Sequence, residues 1–548
     1  MCGLSLLKLV AVGEPLGFPL DDSWIHMVFA RNTAHGDFFA YNPHEPIAGS
    51  TSPLWVFLMV PAFWLKVDPV IWAYALGTLF LILTGITVYA WAKHFTDDRT
   101  ALLAGLIIVS SGRMIWSALS GMEITLSSFL FVLTAYSAWK TKKEKASPLP
   151  AGVLASLNTY ARPEGYLFAA MLFVYLLLKQ DEKKPLYFRI GGFKSAIIFA
   201  ITYAVLTAPY PIACYLNWGK PLPTTYYSKK GAAATVMFHR YWITVWSFFL
   251  KDNIAAALLA LAGMVLVVKK PASGNGIPAL AASWVALFLG VEGFMFPITW
   301  TYARYTIPLW PFLAVLAVYA FDELASVGRW SEMKLTVNFN NRDISMTIKT
   351  LMFWLILLLG ARDGIRWSQI FLWDVRGINE INVKMGKYIA EHVPEGETVA
   401  VNDIGAIAYF GKRRVVDLMG IITPEVARFV NPSGVGLQID LAYNAWEFLK
   451  CRPDIKYVAC FPTWFPKIMK SEYFTPLYST SYHGGDLFDR KWINVKVLYK
   501  LRRENMPPCE AHSGDSDRAR ANSRNAPVHH SFAYHSMSTS SAGLPWGE

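Results

Sequence analysis

The chain has 548 residues, of which 54% are hydrophobic and 16% charged, with a formal net charge of +12 and a mean hydropathy of +0.31. Soluble domains carry about 25% charged residues, so this composition excludes an ordinary soluble protein. The Lys and Arg residues lie largely in short loops between apolar runs, where they set membrane topology, and the positive charge is not read as a nucleic-acid signal.

Met1–Val12 is apolar but shorter than the roughly 20 residues a spanning helix needs. It is read as the remnant of a first transmembrane helix whose start lies outside this chain. Asp21-Asp22 follow, within LDDSWIHMVFARNTAHGDFFAYNP. Adjacent carboxylates beside a membrane are costly unless water or a substrate needs them. One can act as general base toward an acceptor hydroxyl, while the other binds a metal or holds the acceptor. The structural alternative is that they cap a helix beginning near Ser23. Tyr41-Asn42-Pro43 and the GSTSPLW segment Gly49–Trp55 read as a loop returning to the membrane, with Trp55 at the interface. Pro53–Leu65 is apolar but short, and reads as lying along the membrane face.

Apolar runs then recur at 70–92, 101–119, 123–139, 148–160, 164–178, 194–216, 254–268, 279–297, 303–321 and 349–362. Alternate loops carry Lys93/Arg99, Lys140/Lys142/Lys143/Lys145, Lys179/Lys183/Lys184/Arg189/Lys194, Lys269/Lys270 and Arg329/Lys334/Arg342/Lys349. The positive-inside rule makes these cytoplasmic. The other loops hold Asp21-Asp22, Gly121-Met122-Glu123, Arg162-Pro163-Glu164, Pro221–Lys230 and Thr301–Tyr305. Every unusual polar motif therefore falls on one face, which points to a single site outside the cytoplasm.

Each motif has a functional and a structural reading. Glu123 suits the first turn of a helix or the site. In Arg162-Pro163-Glu164 the proline breaks a helix between two short spans, and Arg162 either pairs with Glu164 or Glu123 or meets a phosphate. The basic, aromatic loop with Tyr226, Tyr227, Lys229 and Lys230 either binds a lipid phosphate and a sugar or anchors at the interface. Arg304-Tyr305 runs against the positive-inside bias, which favours a phosphate partner. Asp403 and Asp417 end predicted strands, and turn geometry accounts for them.

Beyond Arg362 the composition is that of a soluble domain. Asn379–Val393 has helical periodicity, and Val399–Val401, Val415–Leu418, Tyr457–Phe461 and Val495–Leu501 read as strands of a small α/β domain. The expected division is a transmembrane domain over 1–362, an extracytoplasmic α/β domain over 363–502 and a disordered tail over 503–548. The five cysteines show no metal-ligand spacing. Cys451 and Cys460 are read as free core thiols, with pairing in an oxidising space as the alternative.

The order DD, TSPLW, GME, RPEG, LP-T--YY-K and RY-IP-WP resembles the bacterial GT-C class of integral-membrane glycosyltransferases, in particular the arabinofuranosyltransferase-like group that uses polyprenyl-phosphate sugars. Val399–Ile421 resembles that group's carboxy-terminal extracytoplasmic domain, and the resemblance covers roughly residues 15–500. It implies about 10–11 transmembrane helices and a plasma-membrane hexosyl- or pentosyltransferase of the cell envelope. The enzyme would move a sugar from a polyprenyl-phosphate carrier to a glycan, lipid or protein hydroxyl. It further implies Asp21 or Asp22 as the base, and Arg162, Lys229 and Arg304 on the donor phosphate. Glu123, Glu164, Tyr226 and Tyr305 complete the expected substrate site. No cofactor is predicted; a divalent cation could bridge Asp21 or Asp22 to the phosphate, but not every member of the class needs one. The alternative function is a transporter or flippase of lipid-linked sugars, which would place its charges near the bilayer midplane and show repeated halves. No repeat is evident.

Overall fold

The computed structural model describes residues 1–180, 188–225, 236–270, 276–295, 299–326, 333–339, 342–423, 425–426, 439–465, 472–485, 495–504 and 506–509. The amino-terminal part holds α1 (Cys2–Ala11), α2 (Asp21–Ala34), α3 (Pro53–Trp64), α4 (Pro69–Ala92), α5 (Asp98–Ser110), α6 (Gly112–Ala118), α7 (Ile124–Lys143), α8 (Leu149–Ala161) and α9 (Gly165–Leu177). There follow α10 (Phe193–Thr207), α11 (Pro209–Trp218), α12 (Val236–Asp252), α13 (Ile254–Lys269), α14 (Ile277–Met295), α15 (Trp310–Ser326) and α16 (Ile348–Ile378). Short hairpins interrupt the series: β1 (Ala40–Asn42) with β2 (Glu45–Pro46), β3 (Leu178–Gln180) with β4 (Phe188–Ile190), and β5 (Lys334–Phe339) with β6 (Arg342–Thr347).

Helices stand where the ten apolar runs predict them. Among the described residues four helices are long and apolar enough to cross a membrane, or five if the pair α5–α6, bent by 58°, is one span. The protein is a multi-pass membrane protein. α12 is a helix that the apolar runs do not announce, because His239, Arg240 and Lys251 break its hydropathy. Trp55, expected at the interface, is fully buried and donates its indole N–H to the Gly121 carbonyl at 2.9 Å. Packing against the turn before α7, not lipid, decides its place.

The basic loops meet one another. Lys349 bridges Asp97 at 3.0 Å and Asp322 at 3.5 Å, and Lys270 bridges Glu323 at 2.6 Å. α7 begins beside Glu123 and ends in Lys140, Lys142 and Lys143. Its 20 residues span about 30 Å at 1.5 Å per residue. The acidic motif and the basic loops thus lie at opposite ends of the same helices.

α16 runs without a break across residue 362, where the composition changes. A π-helical turn at Asn379–Val383 then leads into α17 (Lys384–His392), so one rod connects the membrane part to the α/β part. That part adds β7 (Thr398–Val401), α18 (Gly405–Gly411), β8 (Arg414–Asp417), α19 (Ile439–Lys450), β9 (Ile455–Cys460), β10 (Phe474–Ser481) and β11 (Val495–Leu501). The sheet order is β10-β11-β9-β7-β8, with β7 parallel to β8 and β9, and β11 antiparallel to its neighbours. All four predicted strands form. β10 was not anticipated: Pro476 breaks its pattern, and proline is tolerated because β10 lies at the sheet edge. Cys451 bonds Cys509, and Cys460 is a buried thiol. This corrects the reading of Cys451 as free, and it places residue 509 in the fold although a disordered tail was expected from 503. Residues 510–548 lie outside the described residues.

Candidate active site

α2 begins at Asp21, and Leu20 stands at its N-cap without a side-chain bond. Neither aspartate caps its own helix, which corrects that alternative. Successive residues on a helix point about 100° apart, so the pair separates. Asp22 lines a cavity of about 500 Å³, its side chain is 45% exposed, and it is bound by Arg304. Asp21 turns to the α/β domain. Its carboxylate accepts from the Gly405 N–H at 2.6 Å, the Ala406 N–H at 2.9 Å and the Asn382 amide at 2.8 Å. It thereby satisfies the first amides of α18, a helix in a different domain. A Cβ on Gly405 would lie 1.9 Å from the Asp21 carbonyl oxygen, so only glycine allows this approach.

A second cluster forms around Arg162. The residue before a proline is pushed to extended backbone. Arg162 duly has φ −153° and ψ 141°, ending α8, and α9 restarts at Gly165. A side chain at position 165 would collide with the Thr159 backbone at 2.5 Å, so glycine permits the tight break. Arg162 grips Glu164 through two bonds of 2.6 and 3.2 Å and meets Glu123 at 2.9 Å. Burial lowers the Arg162 pKa, but the Glu164 and Glu123 charges outweigh it and hold it above the usual value. Burial raises Glu123, yet the His26 bond and the Arg162 charge bring it down to about 2. Glu123 is thus held as an anion, and Arg162 is occupied by the two carboxylates.

Tyr305 lies between the two guanidinium groups, 5.2 Å from Arg162 and 5.4 Å from Arg304, a cation–π arrangement on both sides. Arg304 follows three residues in left-handed backbone, Thr301 (φ 53°), Tyr302 (φ 60°) and Ala303 (φ 50°). Each costs on the order of 1–3 kcal/mol and persists only where the surroundings enforce it. Arg113, itself buried against Asp252 at 2.5 Å, donates to the Tyr302 carbonyl at 3.0 Å, and the Tyr302 hydroxyl donates to Asp374 at 3.0 Å. One Arg304 nitrogen, Nη1, is buried without an acceptor among the described residues.

Of the nine residues expected from sequence, Asp22, Glu123, Arg162, Glu164, Arg304 and Tyr305 line this same cavity. Asp21 does not, and Tyr226 and Lys229 lie outside the described residues. His26 and Glu292 line it too and were missed. His26 stands 3.5 Å from Glu123; its signal was the i, i+4 spacing from Asp22 on one helix face. Glu292 was a lone acid inside the apolar run 279–297, and an intramembrane carboxylate is a site signal in its own right. Ser50 and Thr51 of the GSTSPLW segment also reach the cavity, and Ile421 of the α/β domain closes one side of it. Among the described residues no group of three or more His, Cys, Asp or Glu is placed to hold a metal ion.

A family model described as a domain of unknown function (DUF8728) matches residues 373–507. No curated protein matches in sequence. Among solved structures, ArnT from Cupriavidus metallidurans bound to undecaprenyl phosphate is similar with TM-score 0.55 and 12% identity, covering 89% of this chain and 94% of that one. The Archaeoglobus fulgidus oligosaccharyltransferase is similar with TM-score 0.51 and 14% identity, over 90% of this chain and 71% of that one. Arabinofuranosyltransferase AftD from Mycobacteria aligns at TM-score 0.48 and 14% identity, over 91% of this chain and 41% of that one. The first two establish the architecture: this chain has the GT-C fold, a polytopic helical membrane domain followed by a sheet-containing domain.

Proposed function

We propose that this protein is a glycosyltransferase that moves a sugar from a polyprenyl-phosphate carrier to an acceptor hydroxyl outside the cytoplasm. The observation that carries the reading is convergence. Asp22, Glu123, Arg162 and Arg304 come from distant parts of the sequence and meet at one cavity, in a fold shared with an ArnT bound to undecaprenyl phosphate. An oligosaccharyltransferase of the same fold is known in complex with an inhibitory peptide and a dolichol-phosphate, which fits a lipid-linked donor and a separate acceptor.

In this mechanism the acceptor oxygen attacks the anomeric carbon and the lipid phosphate leaves with the bonding electron pair. Asp22 takes the acceptor proton, a role worth about 10²–10⁴-fold in rate. Arg304 steadies the departing phosphate, and its unmatched Nη1 donor is where a phosphate oxygen fits. Arg162 holds Glu123 and Glu164 in place, and so shapes the cavity more than it binds phosphate. Two observations support the extracytoplasmic side. The basic loops gather at the far end of the helices, as the positive-inside rule asks of the cytoplasmic face. The Cys451–Cys509 disulfide in the α/β domain suits an oxidising space.

The test is sugar transfer in membranes containing the chain, with a panel of labelled polyprenyl-phosphate pentoses and hexoses and a cell-envelope acceptor extract. Transfer by wild type that Asp22→Asn loses is the expected result. Equal transfer by the two proteins would remove Asp22 as the base.

A further inference from the structure

Glu292 stands apart from the other acids of the cavity. Asp22 is paired with Arg304, and Glu123 and Glu164 with Arg162. Among the described residues no Lys, Arg or His bridges Glu292. It sits on α14, 9% exposed, among the apolar cavity residues Phe288, Val291 and Met295. Its Oε2 accepts from the Tyr241 hydroxyl at 2.9 Å, and Tyr241 is fully buried. A carboxylate in a membrane-spanning helix is costly and is kept where a ligand or pathway uses it.

A carboxylate is an acceptor, and the tyrosine hydroxyl serves only one of its oxygens. What it can take from a ligand is a hydrogen-bond donor. The phosphate has its own donor at the Arg304 end, and an isoprenoid tail offers no donor. Sugar hydroxyls offer several. We propose that Glu292, oriented by Tyr241, is a sugar-binding subsite that accepts hydrogen bonds from hydroxyls of the donor's sugar ring, distinct from the Arg304 end where its phosphate lies. This rests on the lipid-linked-sugar reading of the cavity. It makes Glu292 a specificity residue, since a buried polar group left unpaired strongly penalises a ligand that lacks the matching hydroxyl.

Binding to the purified full chain in detergent tests it, with undecaprenyl phosphate alone and undecaprenyl phosphate carrying a pentofuranose, a pentopyranose or a hexose. Wild type is expected to bind at least one sugar-carrying lipid about tenfold or more tighter than the sugar-free lipid, the scale of one charge-assisted hydrogen bond. Glu292→Ala is expected to bring that ratio within about twofold of unity while the affinity for sugar-free lipid is unchanged. Glu292→Gln, which keeps the volume, and Tyr241→Phe give intermediate ratios. A ratio that survives Glu292→Gln and Glu292→Ala overturns the subsite. So does equal weakening of both lipids, which would assign Glu292 to cavity shape. Wild type that binds the lipids without regard to sugar also overturns the subsite alone, whereas failure to bind sugar-free undecaprenyl phosphate overturns the wider reading and the subsite with it.

Discussion

Asp21 and Asp22 are chemically identical neighbours that belong to different regions of the molecule. Asp22 opens onto the cavity beside Arg304, and Asp21 is spent on the backbone amides of a helix 384 residues away. One turn start therefore joins the chemistry to the domain that covers it. Two adjacent carboxylates do not imply two catalytic ones. The partner each meets decides its role, and the comparison predicts that their variants fail in different ways.

The largest effect is expected at Asp22. Asp22→Asn should lower transfer by about 10²–10⁴-fold with little change in melting temperature. Asp21→Asn should do the reverse. An amide oxygen replaces only one of two acceptors, leaving a buried N–H unpaired at a cost of about 1–3 kcal/mol. Measuring kcat and the melting temperature for both variants in detergent separates the roles. If Asp21→Asn abolished transfer with stability intact, the division between the two residues would be wrong.

Arg304 comes next. Arg304→Lys keeps a positive charge but loses the planar fork that can hold Asp22 and still present a second donor. Transfer is expected to fall about 10²-fold, the scale of losing one oriented donor at a developing anion. The fall should appear in kcat more than in donor KM, since the phosphate gains charge as it leaves. A variant with unchanged kcat would assign Arg304 to holding Asp22 only.

What was legible in the sequence follows the same division. The cavity residues stood out because each is polar in an apolar background at the same end of the helices, so hydropathy and loop charge sufficed to pick out Glu123, Arg162 and Arg304. Glu292 carried the same signal inside a span and was passed over. The partner of Asp21 was not legible, because it consists of main-chain N–H groups, which every residue but proline has. Trp55 was misplaced for a related reason: an indole suits an interface, and only the fold shows that the Gly121 carbonyl receives it. The strands of the α/β domain were read from alternation, and the edge strand β10 escaped because Pro476 and its polar neighbours hide the period.

Gly405 tests the interface from its other side. A methyl group there would meet the Asp21 carbonyl oxygen at 1.9 Å and Oδ2 at 2.7 Å. Gly405→Ala must push α18 away from α2, with an overpacking cost of about 1–3 kcal/mol. Limited proteolysis should then cut the carboxy-terminal domain faster, while donor binding at Arg304 changes by a few-fold at most. Unaltered protease resistance would show that the two helices can part without loss, and that Asp21 is not what ties them.

The smallest effect is a pH dependence confined to the Asp21 side. Burial, and then the Asp403 charge, raise Asp21 to about 6 against the opposing pull of Lys496, the Ala406 N–H and Asn382. Tyr41 faces the same carboxylate, and burial keeps it neutral at these pH values. A carboxyl whose pKa is higher in the folded protein than its ordinary 3.8 binds its proton more tightly when folded. The stability from this linkage is complete below the ordinary value and is lost as pH rises through about 6. The difference in melting temperature between wild type and Asp21→Asn, which does not titrate, should therefore shrink as pH rises from 4 to 7. Lys496 and Asp403 pair at 2.8 Å and are present in both proteins, so the subtraction removes their own share. A difference that stays constant or grows with pH would mean that the three donors around Asp21 hold it ionised against its burial. The aspartate would then be a permanent anionic clamp between the two domains.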